Sequence, residues 1–377
     1  MLRQRHMMPG RETFLIDCSA LLSPMTGIGN YTTSVVNRLL PVPDAPWRMV
    51  GWYGGIRREL RCPVACSGAR RGWVPYPIAR IIKGAARSFG RTFCRNEVRL
   101  FWGPNNIIER GIRSQRIALT VHDLSCFKHP EWQPASRVAW FERHFPSSAA
   151  RADRIITGSA FTAGELQIWG VDPGRITVIP HGIDATVFHP RTAAEQAVLA
   201  ARLDLPERFV VYVGSVEPRK NLQVVAAAMQ RLPATAGKLV LVGDTAWGNA
   251  GIDRSIESAG AIRLGRLDGP DLAVLLSRAR ALVYPSRYEG FGIPPLEALA
   301  CGCPVLASDI PPVREACDGH ARLLPPDDVE AWSAALAEAL DAPPDPVARQ
   351  AGLNHALAFT WDRSAEAHRA VFAALWG

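Results

Sequence analysis

Ala281–Tyr284 and Pro304–Ala307 are short apolar runs with the composition of buried strands, and the residues between them leave little choice of connection. Pro294 and Pro295 stand where a helix tolerates proline, in its first turn, and Gly302 stands where a helix stops. The stretch is therefore a strand, a loop, a very short helix and a second strand. Gly290 and Gly292 let the loop backbone approach a ligand closely, and the helix points free N–H groups and its positive dipole end at that loop. An anion or a hydroxyl-rich ligand suits such a place. Glu289 in the loop and Glu297 in the first turns of the helix face one crevice, and carboxylates are good acceptors for sugar hydroxyls.

The same alternation runs through the chain. Strands are expected at Thr13–Asp17, Val50–Tyr53, Arg99–Trp102, Ile117–Val121, Asp153–Thr157 and Arg175–Pro180, with a helix from Gly27 to about Leu40 and another, capped by Ser159, reaching about Trp169. A polar, alanine-rich stretch, Arg191–Glu207, reads as the crossing between domains. The pattern then restarts with strands at Phe209–Val213 and Lys238–Val242, and helices over Asn221–Gln230 and Asp271–Ala279. A helix introduced by Pro325 runs to about Leu340, and the tail from Phe359 through Phe372 is helical and aromatic. Strands alternating with helices imply parallel sheets covered on both faces. The expected division is 1–190, 191–355 and a last helix, 356–377, that crosses back onto the first domain.

A chain of 377 residues holds two ordinary domains, and no apolar run reaches the eighteen or so residues that span a bilayer. The first ten residues are basic and polar without a following apolar core, so no secretory signal is expected. The eight cysteines form no zinc pattern and suit a reducing cytosol. The formal charge of +8 calls for an anionic partner. Arg80, Lys83, Arg87, Arg91 and Arg95 recur every three or four residues, which stacks them on one helical face opposite Ile78, Ile81, Ile82, Phe89 and Phe93. That pattern fits a helix lying on an anionic membrane, and equally a solvated face packed by its apolar side; Gly84 and Gly90 weaken either helix. Nucleic acid is not expected, because no reader module and no interleaved aromatic platform is present.

The block Glu289-Gly-Phe-Gly-Ile-Pro-Pro-Leu-Glu297-Ala-Leu-Ala-Cys-Gly-Cys-Pro-Val resembles the paired-glutamate signature of retaining glycosyltransferases of family 4. Gly214-Ser-Val-Glu-Pro-Arg219-Lys220-Asn, at a strand's exit and a helix's mouth, is similar to the place where that family sets an arginine and a lysine against the leaving diphosphate. Guanidinium forks match phosphate oxygens and an ammonium adds a point charge. The resemblance implies a GT-B fold, with two Rossmann-like doubly wound sheets facing a cleft. It places Gly27 and Gly29 near the donor diphosphate, His122 beside the reacting carbon, and Arg263 and Leu264 near the nucleotide base. Glu289, Gly290, Phe291, Gly292 and Ile293 would surround the hexose, with Glu289 on its hydroxyls and Glu297 on the ribose. His181-Gly182-Ile183-Asp184 is similar to the family's Pro-Asn-Gly-Val-Asp turn with histidine for asparagine, and Gly182 reads as a residue of positive φ.

The implied activity is transfer of a hexose with retention and without a metal or other cofactor, since no Asp-x-Asp motif offers a metal site and Arg219, Lys220 and a helix end supply positive charge instead. The glycine-phenylalanine-glycine form is similar to bacterial mannosyltransferases of O-antigen and exopolysaccharide synthesis. GDP-mannose is the first donor to test and UDP-glucose the second. The implied acceptor is a glycan on polyprenyl diphosphate, met by a peripheral protein at the cytoplasmic membrane face. A GT-B isomerase of UDP-sugars would differ in its glutamate and histidine layout. A non-catalytic nucleotide-sugar or lipid-binding descendant would usually lose the cationic clamp or a glutamate, and both are kept here.

Overall fold

The computed structural model describes residues 13–22, 27–39, 47–53, 56–60, 98–108, 112–247, 250–343 and 345–377. The basic segment containing Arg80, Lys83, Arg87, Arg91 and Arg95 lies outside them. The first sheet has seven strands: β1 Thr13–Asp17, β2 Trp47–Tyr53, β3 Ile56–Leu60, β4 Val98–Gly103, β5 Ser114–Thr120, β6 Arg154–Thr157 and β7 Ile176–Val178. Their spatial order is β3-β2-β1-β4-β5-β6-β7, and every neighbouring pair is parallel except β2–β3. The second sheet holds β8 Phe209–Val213, β9 Lys238–Val242, β10 Ile262–Arg263, β11 Ala281–Tyr284, β12 Val305–Ser308 and β13 Arg322–Leu324. Its order is β10-β9-β8-β11-β12-β13, parallel throughout.

Both sheets are buried on two faces, which is why their strands are continuously apolar rather than alternating. In β8, Phe209 and Val211 join one core while Val210 and Tyr212 join the core on the opposite face. In the first sheet Leu15 and Phe101 face one core, and Phe14, Ile16, Leu100 and Trp102 face the other. Each sheet reverses its winding beside its first strand, so the loops leaving adjacent strands there splay apart and open a crevice. In the second sheet that point lies between β8 and β11.

The stretch Arg191–Glu207, expected as the crossing between domains, contains a helix, Ala193–Leu203, started by a full capping box between Thr192 and Glu195. The last helix, Trp361–Trp376, lies against the first domain. Phe372 meets Phe14 edge-on at 5.0 Å and Trp102 at 5.3 Å, and Arg38 pairs with Asp362 at 2.8 Å. A buried chain of hydrogen bonds fixes it further. His368 Nδ1 donates to Ser364 O (2.7 Å), so its Nε2 is the acceptor for the Tyr31 hydroxyl (2.7 Å). The Tyr31 oxygen then accepts from Thr120 Oγ1 (3.0 Å), which accepts from Trp102 Nε1 (3.0 Å).

Gly182 does not have a positive φ; the positive-φ glycines are others. It is required by close approach, because a Cβ there would sit 2.2 Å from the backbone nitrogen of Trp361. The strand-like bridge between Ile183 and Thr360 brings the two backbones together at that point. Among the described residues no helix is long and apolar enough to cross a membrane.

Candidate active site

The short helix is Ile293–Ala300, with Pro294 and Pro295 in its first turn. Beyond Ala300, Gly302 adopts φ +70 and donates to Leu299 O, closing the helix as its sequence requires. The helix starts from Gly292, and Phe291 is buried against His181 with ring centres 5.0 Å apart. Ile293 packs against the cores of both domains. Gly290 sets the distance between the domains, since a Cβ there would lie 1.8 Å from the carbonyl oxygen of His122. Its close approach is to the facing domain's backbone. Ser159 Oγ donates to the Gly290 carbonyl at 2.6 Å, and Ala160 N donates to Glu315 at 2.8 Å, across the same junction.

Arg219 and Lys220 lie in a 3-10 turn, Pro218–Lys220, that leads into the helix Leu222–Gln230 after β8. Glu289 leaves β11, the adjacent strand, so the crevice brings all three together. Lys220 Nζ donates to Glu289 Oε1 at 2.6 Å and Arg219 Nη1 to Oε2 at 2.7 Å. Burial alone would raise the Glu289 carboxyl, but the Arg219 and Lys220 charges prevail and hold it down at about 2. Arg219 is itself held further: Nε and Nη2 donate to Glu217 Oε1 at 3.1 and 2.7 Å, and Nη1 also reaches Tyr288 O at 2.8 Å. Burial acts to lower its affinity for its proton, and the Glu289 and Glu217 carboxylates reverse that. The result is a rigid, buried cation pair whose lysine keeps two N–H donors beyond the one used by Glu289. Such a centre is preorganised for an anion that arrives or departs.

Glu297 is different in kind. It sits on the short helix, partly buried, and among the described residues no side-chain donor or cation reaches its carboxylate. Burial therefore pushes it up to about 8. A carboxylate left like this gains from any ligand that supplies hydroxyl donors.

His122 faces the junction from the end of β5. Its Nε2 donates to Pro104 O at 2.8 Å, which leaves Nδ1 as the lone-pair nitrogen of the neutral ring, and burial keeps the ring neutral by lowering its pKa. Tyr31 stands edge-on at 4.9 Å, and His181 lies 5.7 Å away with its Nδ1 buried and without a hydrogen-bond partner among the described residues. Gly27 is the exposed first residue of the helix Gly27–Leu39 and Gly29 is buried in its first turn. Gly214 follows β8 directly, and its N–H donates to Val242 O. Arg263 is engaged by Asp253 at 2.5 Å and Thr245 at 3.1 Å, and Leu264 packs partly buried against the second domain's core.

Three residues not singled out by the sequence belong to this centre. Glu217 clamps Arg219, and Tyr288 accepts from Leu124 N at 3.1 Å while donating to the buried Glu165 of the first domain. Glu217 stands inside the Gly214–Asn221 motif, but nothing in a one-dimensional pattern says which neighbour its carboxylate meets. Tyr288 and Glu165 are 123 positions apart, and only the fold pairs them.

Residues 196–354 match the model described as Glycosyl transferases group 1, and residues 100–187 match Glycosyltransferase Family 4. The O-antigen chain mannosyltransferase B of Escherichia coli is 33% identical over 273 residues, which cover 70% of this chain and 71% of that protein. A D-inositol 3-phosphate glycosyltransferase of Salinispora tropica is 32% identical over 283 residues, 65% of this chain and 56% of the relative's length. The sucrose-phosphate synthase of Thermosynechococcus elongatus superposes on 97% of this chain with a TM-score of 0.70 at 22% identity, which speaks to the fold. The fold is GT-B, and the chain belongs to the group 1 glycosyltransferases of family 4.

Proposed function

We propose that this glycosyltransferase moves a hexose, with retention at the anomeric carbon, from a nucleotide sugar to a glycan acceptor, and that the sugar is mannose from GDP-mannose. The observation that carries the reading is the buried Arg219–Glu289–Lys220 cluster in the crevice of the second sheet, with Gly290, the residue after Glu289, set against the backbone carbonyl of His122 in the first domain. Departure of a nucleoside diphosphate concentrates negative charge at the bridging phosphate. Fixed cations beside that position stabilise it without reorganisation, which removing one such contact would reveal as a loss of turnover.

In this account Lys220 and Arg219 meet the diphosphate, and Glu297 receives the ribose hydroxyls its carboxylate lacks. Glu289 positions both cations and borders the hexose with Phe291, Gly292 and Ile293. His122 stands at the reacting carbon from the acceptor side. The leaving phosphate accepts the acceptor's proton on the face it departs from, which gives retention without a protein nucleophile. No metal is required because protein cations supply the charge. The 33% identity to an O-antigen chain mannosyltransferase supports mannose and an O-antigen-like glycan; a lipid-linked acceptor is part of the proposal. Attachment to the cytoplasmic membrane face through the basic segment 80–95 belongs to the same proposal.

The test is transfer from GDP-mannose and from UDP-glucose to lipid-linked glycan, with the product's anomeric configuration read by proton NMR. An α-mannoside formed from the α-linked donor supports the reading. Transfer from UDP-glucose alone replaces the sugar, and an inverted product removes the mechanism.

A further inference from the structure

The second sheet has two ends, and the donor crevice uses the carboxyl ends of its strands. A cavity of about 250 Å³ lies at the opposite, amino end, lined by Arg278, Arg280, Arg349, Gln196, Ser277 and Glu207 among others. Glu207 precedes β8, Arg280 immediately precedes β11, and Gly302, which also lines the cavity, precedes β12. At about 3.3 Å per residue, the short strands keep this cavity roughly 15 Å from the crevice at their other ends.

Its three arginines are unlike their neighbours. Arg191 and Arg202, nearby on the same side of the domain, are paired with Glu195 and Asp271. Arg278, Arg280 and Arg349 have no ion-pair partner among the described residues. Arg349 spends one donor, Nε, on the carbonyl of Gly302 at 2.8 Å, which holds the fork in place with its terminal nitrogens unspent. Arg278 Nε is buried with no hydrogen-bond partner among the described residues. A buried N–H without an acceptor lowers stability unless something supplies one. Arg278 ends the helix Gly269–Arg278, where the dipole favours a cation. That accounts for one arginine; Arg280 enters a strand and Arg349 comes from a separate helix, Pro346–Ala356.

We propose that this cavity is a second anion site, for a soluble phosphate-class ligand such as inorganic phosphate, pyrophosphate or a small phosphomonoester. Three guanidinium forks from three elements offer more donors than a carboxylate has acceptor positions, whereas phosphate oxygens match forks converging from several directions. Among the described residues Glu207 is the single carboxylate of the lining, which makes the net charge of that wall positive. Occupancy would tie the helices Ala193–Leu203, Gly269–Arg278 and Pro346–Ala356 together behind the donor crevice.

Calorimetric titration of inorganic pyrophosphate at low salt tests this with the full chain, in a Lys220→Ala background that disables the donor clamp. The expected result is that Lys220→Ala still binds pyrophosphate, and that adding Arg278→Gln and Arg280→Gln weakens the binding at least about tenfold, the scale for losing charge-assisted contacts. Arg349→Gln, on another helix, should weaken it in the same direction, and all these variants with Lys220 intact should keep the thermal response to a donor nucleotide. Pyrophosphate binding that disappears with Lys220 alone, or that persists unchanged in the arginine variants, overturns the proposal.

Discussion

Lys220 is the residue whose removal separates chemistry from architecture most cleanly. It is buried, its ammonium pairs with Glu289 and lies 5.3 Å from the centre of the Tyr284 ring, and Arg219 remains to neutralise that carboxylate when the lysine is removed. Lys220→Ala is therefore expected to lower turnover on the order of 10² to 10³-fold, the scale for one preorganised charge contact. Steady-state kinetics check this, and near-wild-type turnover contradicts the clamp. Glu297 makes the opposite kind of prediction. Its folded value of about 8 exceeds the ordinary 4.5, so the folded chain holds a proton that the unfolded chain has lost, and stability falls as pH rises from about 4.5 to about 8. Glu297→Gln should raise the thermal midpoint at pH 8, with a gain that shrinks toward pH 4.5. A donor that hydrogen-bonds this carboxylate lowers its pKa, so binding at pH 7 should release protons. Calorimetric heats that are identical in buffers of different ionisation enthalpy would contradict that role. Glu289 runs the other way: its depressed value stabilises the fold above about 4.5, and that contribution is lost as pH falls through about 2.

At the scale of elements, strands were the most legible part of the sequence, because burial on both faces makes them short apolar runs bounded by turn residues. β8, β9 and β11 occupy the residues that pattern indicates. β13 and the two-residue β10 were not legible, since sheet neighbours rather than composition hold such short pieces. β3 was not legible either, as it lies in a charged segment and pairs antiparallel at the sheet's edge. The helix Ala135–Arg151 carries Pro146 inside it, a residue that argues against a helix locally. The last helix was legible as helical, but not its bonding to Tyr31. Tyr31→Phe would leave the Thr120 hydroxyl proton and His368 Nε2 without their partner in a dry interior and is expected to cost about 1–3 kcal/mol, measured by urea unfolding. Burial lowers His368 to about 4, and His181 and His122 shift in the same direction. The unfolded chain therefore takes up protons first, and stability should fall as pH drops from 6.5 toward 4. A flat midpoint across that window would contradict neutral buried imidazoles.

The whole molecule is two sheets that meet where the Gly290 backbone lies against the His122 carbonyl. The paired glutamates, the cationic turn and the short helix could be read in the sequence because they lie within single motifs. The contact of Gly290 with His122, 168 positions away, and the bonding of Tyr288 to Glu165 could not, because each joins residues of different domains. Gly290→Ala must push the His122 backbone away, and if His122 has its proposed role, displacement by an ångström lowers turnover on the order of 10²-fold. Nucleotide binding should persist, since Arg219, Lys220 and Glu297 all belong to the second domain. Unchanged turnover would mean that the two domains do not meet across Gly290 during reaction.

The proposed function requires the Arg219–Glu289–Lys220 cluster to receive the diphosphate of a nucleotide-sugar donor. Its most direct test is the thermal midpoint of the wild-type chain and of Lys220→Ala against GDP, UDP, GDP-mannose and UDP-glucose without added metal. A rise of several degrees is expected for GDP and GDP-mannose in the wild type, and a much smaller one in the variant. A response equal in both proteins, or none to any of the four, would contradict it.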